Sequence, residues 1–405
     1  MADRKVKDWI ESYLEYTDHT EPCHLYREWV AVSTIASCLQ RKCYLDWGQT
    51  VYPNLYVILV GPSGARKGTA MGYGRYFLKE LKVRMVAESI TREALIREVK
   101  NATENLTDPE NPGLIGVTHA SVTVHSPELT VFIGWDNKQL MMDLTDLYDC
   151  NERWEYRTKN MGTDTIHGPW INILGATTPD LVQRTLPLDA VGGGLTARMI
   201  FVYASRKGKI SIFPQLSKED EGLRNLLLQD LEEIKMMRGQ FKITEAFLES
   251  WADWYPKQDG NNPFSDVKFS GYFERRPWTM LKMSMIVSAS RSSSMIIDAA
   301  DFREGLEILK RVEIPMKKTL AGVGKRDDAD VMSKIMSYIG MERETTFNDI
   351  LAVFFNDVDP EGLARIILTL QKINYCDVIE KNRKTIIKYK EIKDGNTGAI
   401  EGVKG

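Results

Sequence analysis

The most explicit chemistry in this 405-residue sequence lies in Gly61-Pro62-Ser63-Gly64-Ala65-Arg66-Lys67-Gly68-Thr69. A glycine-rich turn lines up successive backbone N–H groups. A helix opening directly after it adds unpaired N–H groups and the positive end of its dipole, and a lysine reaches terminal oxygens. Together these hold the phosphates of a nucleotide. Gly61, Ser63, Gly64, Arg66, Lys67, Gly68 and Thr69 are therefore the expected ATP-binding residues. The strict pattern G-x-x-x-x-G-K-[ST] wants glycine where Arg66 stands and Ser or Thr where Gly68 stands. Thr69, one residue late, is the candidate ligand for Mg2+. The alternative is a plain glycine turn with Lys67 as a solvated surface charge.

Phosphoryl transfer also needs a carboxylate near the phosphates and groups that sense or neutralise the transferring charge. After Val122-Thr123-Val124 the chain reads His125-Ser126-Pro127-Glu128. Glu128 is the candidate water-activating group, with Pro127 in the slot of a metal-binding aspartate and Asp136 and Asp143 as substitutes. Its alternative is a helix-start carboxylate favoured by the helix dipole. Ile171-Asn172-Ile173-Leu174-Gly175-Ala176 ends in Thr177 and Thr178, placed to sense a γ-phosphate, while Thr178-Pro179-Asp180 equally reads as a helix cap. Arg198, after Gly192-Gly193-Gly194, is the candidate arginine supplied in trans to a neighbour's nucleotide. Arg206 and Arg184 are weaker candidates, and a plain surface arginine is the alternative.

The elements that must carry these residues follow from periodicity. Asn54 to Val60 is a short, continuous apolar run of the kind that forms a parallel strand buried on both faces, and Thr69 to Leu81 reads as the helix after it. Further strands are expected at Val122–Val124, Val131–Ile133, Trp170–Leu174 and Met199–Tyr203, with helices between several of them. That alternation implies the α/β class with a mainly parallel sheet. Residues 5–43 read as helical. After Ser217 the strand pattern mostly stops, and helices are expected at Leu223–Met237, Thr244–Trp254 and Arg276–Ala289, with a fourth capped by Asp298. Gly322–Asp330 reads as a linker. Three more helices, the last begun by Asp359-Pro360, precede strands at Cys376–Ile379 and Thr385–Tyr389, the pattern of a winged helix-turn-helix. The expected organisation is an N-terminal helical region (1–50), a P-loop ATPase core (51–215), a helical subdomain (216–325), a winged helix (326–392) and a disordered tail (393–405).

Taken together, these segments resemble a family of phage and prophage P-loop ATPases, distant relatives of superfamily three and poxvirus-type primase-helicases. The resemblance is carried by Tyr52-Pro53-Asn54-Leu55 through Gly64, Ser126 to Phe132, Leu144 to Cys150, Leu174 to Asp180 and Gly192 to Arg198, and spans roughly residues 25–320. It implies an AAA+-like core in a ring, usually hexameric, that moves on DNA during replication of a mobile element in a bacterial host cell. Lys67 would be the phosphate lysine, Glu128 the catalytic carboxylate, Thr177 or Thr178 the sensor and Arg198 the finger. No primase-like segment precedes the core, so a separate primase or loader is expected as a partner.

Two basic regions are the candidate DNA contacts. Trp154 to Gly162 and the following Thr163-Asp164-Thr165-Ile166 read as a polar hairpin. In the related helicases a hairpin here lines the central channel, which points to Arg157 and Lys159 as phosphate contacts. In the winged helix, Lys381, Arg383 and Lys384, with Lys388 and Lys390, crowd the wing, and Arg365 and Lys372 lie on or near the third helix. An ordinary exposed loop and a protein-binding winged helix are the alternatives.

Composition sets outer bounds. The formal net charge is -3, so any nucleic-acid affinity must come from local clusters. No apolar run suits a membrane span or a signal peptide. Five scattered cysteines without a C-x-x-C pair fit a reducing cytoplasm, and the five histidines lack metal-ligand spacing. The combined expectation is an ATP-dependent DNA helicase or translocase using ATP and Mg2+. Its rivals are a nucleotide-gated DNA-binding adaptor or initiator, and a winged-helix regulator with an inactive P-loop domain.

Overall fold

In the computed structural model, which describes residues 4–107, 115–134, 137–158, 162–185, 194–258, 260–320, 329–381 and 384–390, the apolar run Tyr56–Val60 is a strand buried along its whole length. It lies inside a six-stranded sheet in the order Met199–Tyr203, Tyr56–Val60, Pro169–Thr177, Ile115–Ser126 and Met85–Val86, with Thr103–Thr107 added antiparallel against Ile115–Ser126. Every other pairing in this sheet is parallel. Val60 is level with both Thr177 and Tyr203, so these three strands end together at one edge, where the loops that follow them gather. Two-sided burial is why the central strands read as continuous rather than alternating apolar runs.

Two expectations need correction. Val131–Ile133 is not a strand but part of a short helix, Leu129–Ile133. Leu129, Phe132 and Ile133 are buried while Val131 is 53 % exposed, which is helical spacing. A short apolar run does not by itself separate strand from helix. After Ser217 three unexpected strands occur among the described residues, Glu344–Thr346 in the last unit and, before it, Gly239–Ile243 and Ile296–Ile297. Gly239–Ile243 and Ile296–Ile297 join Cys43–Asp46 and Thr50–Val51 in a four-stranded sheet, in which Gly239–Ile243 pairs parallel with Cys43–Asp46 on one side and Ile296–Ile297 on the other.

The helices follow their caps. Asp8 accepts from the amides of Ile10 and Glu11 at the start of Trp9–Tyr16. Ser217 with Asp220 and Asp298 with Asp301 form reciprocal capping boxes for Lys218–Met236 and Ala299–Met316. Ser270–Arg291 packs against Ala299–Met316, and between them the buried Arg276 guanidinium meets Glu313 through two bonds of 2.6 and 2.8 Å. The Asp230 carboxylate accepts from the amides of Lys5 and Val6, tying down the N-terminal segment. One hydrophobic core runs from Val6 to Leu320.

The chain divides into two compact units, Met1–Val323 and Gly324–Gly405. The second has helices Ala329–Glu342, Phe347–Phe354 and Pro360–Lys372 and an antiparallel sheet in the order Glu344–Thr346, Lys384–Tyr389, Cys376–Lys381. Asp359 caps the last helix by accepting from the Gly362 amide at 2.6 Å. Ile335, Ile350, Leu363, Ile366 and Ile387 lie in its own separate core. Among the described residues no helix is long and apolar enough to cross a membrane.

Candidate functional site

The buried strand Tyr56–Val60 runs straight into Gly61, where the backbone has no room for a side chain. An added Cβ there would meet the Ala204 carbonyl oxygen and the Tyr26 hydroxyl at 2.4 Å each. The Gly61 amide bonds the Thr177 carbonyl across the strand ends. The chain then turns through Gly64 (φ 83°) and Arg66 (φ 65°), both left-handed, and enters the helix Lys67–Glu80. Arg66 thus occupies the position where the strict motif wants glycine, and its backbone adopts the conformation that glycine supplies without strain, at a cost of about 1 kcal/mol. Its guanidinium bonds Glu21 at 2.6 Å, and Glu21 also takes the Lys207 ammonium. The Lys207 ammonium, and after it Arg66, hold the Glu21 carboxyl below its ordinary range. Glu21 therefore ties the loop to the segment leaving the edge strand.

Ser63, Gly64, Arg66, Lys67, Gly68 and Thr69 line one cleft of about 320 Å³ with Pro127, Glu128, Thr177 and Thr178. The Lys67 ammonium donates to the carbonyls of Gly61 (2.6 Å) and Pro62 (3.0 Å). Burial pushes its pKa down, and the Glu128 carboxylate partly offsets this. Glu128 is exposed at the N-cap position of the short helix, yet its side chain makes no capping bond and stays free for the cleft. Thr178 accepts from the Leu181 amide at 3.4 Å, so it caps the following helix while lining the cleft. Thr177 is buried at the strand end. Thr69 is exposed in the first helical turn. A half-buried ammonium satisfied only by carbonyls, beside a helix N-terminus, fits a phosphate group. The exposed Thr69 hydroxyl fits one Mg2+ ligand. Asp143 is held by Arg92 through bonds of 2.6 and 3.2 Å and does not line the cleft; Asp136 lies outside the described residues.

Arg198 is elsewhere. It sits one residue before the Met199–Tyr56 pair, level with Leu55 and at the opposite end of the parallel strands from Gly61. At about 3.3 Å per residue, the six positions from Leu55 to Gly61 separate it from the cleft by roughly 20 Å. There it is buried, ion-paired with Asp149, and donates to the Gly194 carbonyl at 3.1 Å. Gly192, Gly193 and the Arg184 side chain lie outside the described residues, and Arg206 is exposed beyond the other end of the same strand.

The hairpin Arg153–Thr158 and Gly162–His167 is antiparallel, with Arg157 exposed and bonded to Thr163. Trp154 anchors it through Asp146, Arg92 lies 4.6 Å over the Tyr156 ring, and Lys100 pairs with Asp164. Lys159 at its tip lies outside the described residues, as do Arg383 and the Lys384 side chain. Lys381 ends its strand exposed, whereas Lys388 and Lys390 are paired with Glu344 and Asp377. Two charges of the basic cluster are thus neutralised within their own unit.

Glu21, Asp149 and Lys282 carry no local signal in the sequence. All three act through partners distant in sequence, for which a single chain gives no signal. Compared with known proteins, the chain matches no family model and no curated protein.

Proposed function

We propose that this chain is an ATP-dependent DNA helicase or translocase of a phage or integrated element. In this reading a P-loop, AAA+-like core is followed by a C-terminal winged helix, and the protein works as a homo-oligomer, a hexameric ring, in a bacterial cytoplasm. One observation carries it: Lys67, Thr69, Glu128, Thr177 and Thr178 share one cleft at the carboxyl ends of parallel strands, where ligands of open α/β sheets bind. The loop amides and Lys67 would hold the β- and γ-phosphates. Glu128 would orient a water and take its proton as the new O–P bond forms and the β–γ bridge breaks. Thr177 or Thr178 would contact the transferring group. Bound Mg2+, with Thr69 as a ligand, supplies positive charge to the phosphate oxygens.

Arg198 stands too far along the sheet to reach a nucleotide in its own chain, which favours a role toward a nucleotide held by a second copy. Leaving Asp149 for a phosphate would exchange one charged partner for another. Arg157 would follow the DNA backbone, with Lys381 and its neighbours as a further phosphate contact. Strand displacement on a forked substrate tests the proposal. Wild-type protein should unwind with ATP, and doping with Lys67→Ala chains should poison the assembly out of proportion to their fraction. Linear dilution of activity would contradict the ring.

A second reading, a nucleotide-gated adaptor without sustained turnover, is favoured by a specific observation. Glu128 is the one carboxylate among the described residues that lines the cleft. ATP binding that drives assembly without phosphate release would establish it.

A further inference from the structure

Arg66 holds a left-handed backbone (φ 65°) at the turn into the Lys67–Glu80 helix, where the strict phosphate-loop pattern wants glycine. Glycine would adopt that φ without strain, and strain of this kind persists where the side chain has a task. The Glu21 carboxylate accepts from the Arg66 Nε at 2.6 Å, and among the described residues the guanidinium makes no other hydrogen bond. An arginine carries five N–H donors, so four remain on its two terminal nitrogens. They belong to a side chain that is 46 % exposed, on a residue that lines the Lys67 cleft. Glu21 is itself fixed. Its carboxylate takes the Lys207 ammonium at 2.5 Å, and its backbone carbonyl accepts from the Gly208 amide at 2.9 Å. Gly208 packs so closely that an added Cβ would meet the Cys23 Cα at 2.8 Å. Among the groups that line the cleft or are tied to Arg66 through Glu21, three cations (Arg66, Lys67 and Lys207) face two carboxylates (Glu21 and Glu128), which leaves one positive charge in excess.

We propose that Arg66 presents its terminal N–H groups to the γ-phosphoryl oxygens of ATP held by the same chain, and that Glu21 is the positioning residue that sets the guanidinium for this contact. The inference rests on the ATPase reading given above and adds to it an arginine acting in cis. Negative charge moves toward the β–γ bridging oxygen as its bond to the γ-phosphorus breaks. A fork of donors already fixed in place stabilises that charge without reorganising. Arg198, roughly 20 Å along the sheet, does not serve the cleft of its own chain. Lys67 supplies a point charge but not a planar fork. Arg66 keeps its bond to Glu21 throughout, because Nε and the terminal nitrogens are separate donors.

The test is steady-state ATP turnover by the full chain with single-stranded DNA, wild type against Arg66→Gly, Glu21→Gln and the double variant. Arg66→Gly restores the strict pattern and takes the left-handed φ without strain, so it keeps the test open if Glu21→Gln loosens the Lys207 segment. Arg66→Gly should lower kcat by about a hundredfold or more with KM for ATP little changed, because the contact counts most in the transition state. Glu21→Gln should lower kcat by less. The double variant should fall no further than Arg66→Gly alone, since Glu21 acts through Arg66. An unchanged kcat in Arg66→Gly, or a rise in KM alone, overturns the inference and leaves the ATPase reading standing. Losses that multiply in the double variant overturn the role of Glu21. A wild-type chain that does not turn over ATP sinks that reading and this inference together.

Discussion

Gly61→Ala would place a Cβ 2.4 Å from the Ala204 carbonyl oxygen and 2.4 Å from the Tyr26 hydroxyl, where ordinary contacts lie at 3.4–4 Å. One neighbour is backbone of the segment leaving an edge strand and cannot swing aside, so the strand end must move by about 1 Å. That movement strains the Ala204 amide bond to Val60 (3.0 Å) and the Tyr26 hydroxyl bond to Val60 (2.7 Å). Two hydrogen bonds at about 1 kcal/mol each, with overpacking strain of about 1–3 kcal/mol, give a loss of roughly 3–5 kcal/mol. Gly64→Ala meets no atom within 4 Å but keeps φ at 83°, costing about 1 kcal/mol. Gly68→Ala meets nothing and sits in the first turn of a helix, so it should gain about 0.5–1 kcal/mol. Three glycines within eight residues therefore differ in size and sign of effect. Urea unfolding followed by tryptophan fluorescence reads this directly, because all nine tryptophans precede residue 324 and report the first unit alone. A Gly68→Ala loss equal to that of Gly61→Ala, or a neutral Gly61→Ala, would refute the loop geometry.

Two further outcomes depend on pH. Burial lowers the Lys282 pKa from 10.5 to about 7, so in that window the unfolded chain holds a proton the native one releases; stability should rise with pH from about 7, by a few kcal/mol in all. Lys282→Met should flatten that slope, best compared between pH 7 and about 8.5 because the buried thiols of Cys38 and Cys43, pushed up to about 12, oppose it once unfolded thiols ionise. Burial, with Lys42 and Arg41 adding to it, lowers His119 from 6.5 to about 4. The native state excludes a proton the unfolded chain accepts, so stability complete above about 6.5 should fall by up to about 3 kcal/mol as pH drops toward 4. His119→Gln should remove much of that acid sensitivity in urea melts at pH 4.5 and 7, and equal losses in both proteins would count against it.

The sequence exposed the parts of this molecule whose signal is local. The strand Tyr56–Val60, the glycine turn after it and the caps at Asp298 and Asp359 each declare themselves within a few residues, by continuous apolarity, by φ demands or by a cap-then-proline pair. Thr178 caps the helix that follows it, as the Thr-Pro-Asp pattern suggests, and it also lines the cleft. Val131–Ile133 misled because three apolar residues fit either period. The strands Gly239–Ile243 and Ile296–Ile297 were illegible because the first exists by pairing with the distant Cys43–Asp46 and the second by pairing with the first. The location of Arg198 illustrates the limit best. A glycine run before an arginine names a candidate, but the parallel register puts it at the far end of the sheet from Lys67, beside an aspartate 49 residues away in sequence.

In the proposed function the cleft around Lys67 and Glu128 binds and hydrolyses ATP in the service of movement on DNA. ATP turnover by the purified chain, with and without single-stranded DNA, addresses it most directly. Turnover should be stimulated by DNA, abolished by Lys67→Ala, and lowered about a hundredfold or more by Glu128→Gln while ATP still binds. Full turnover by Lys67→Ala would contradict this function.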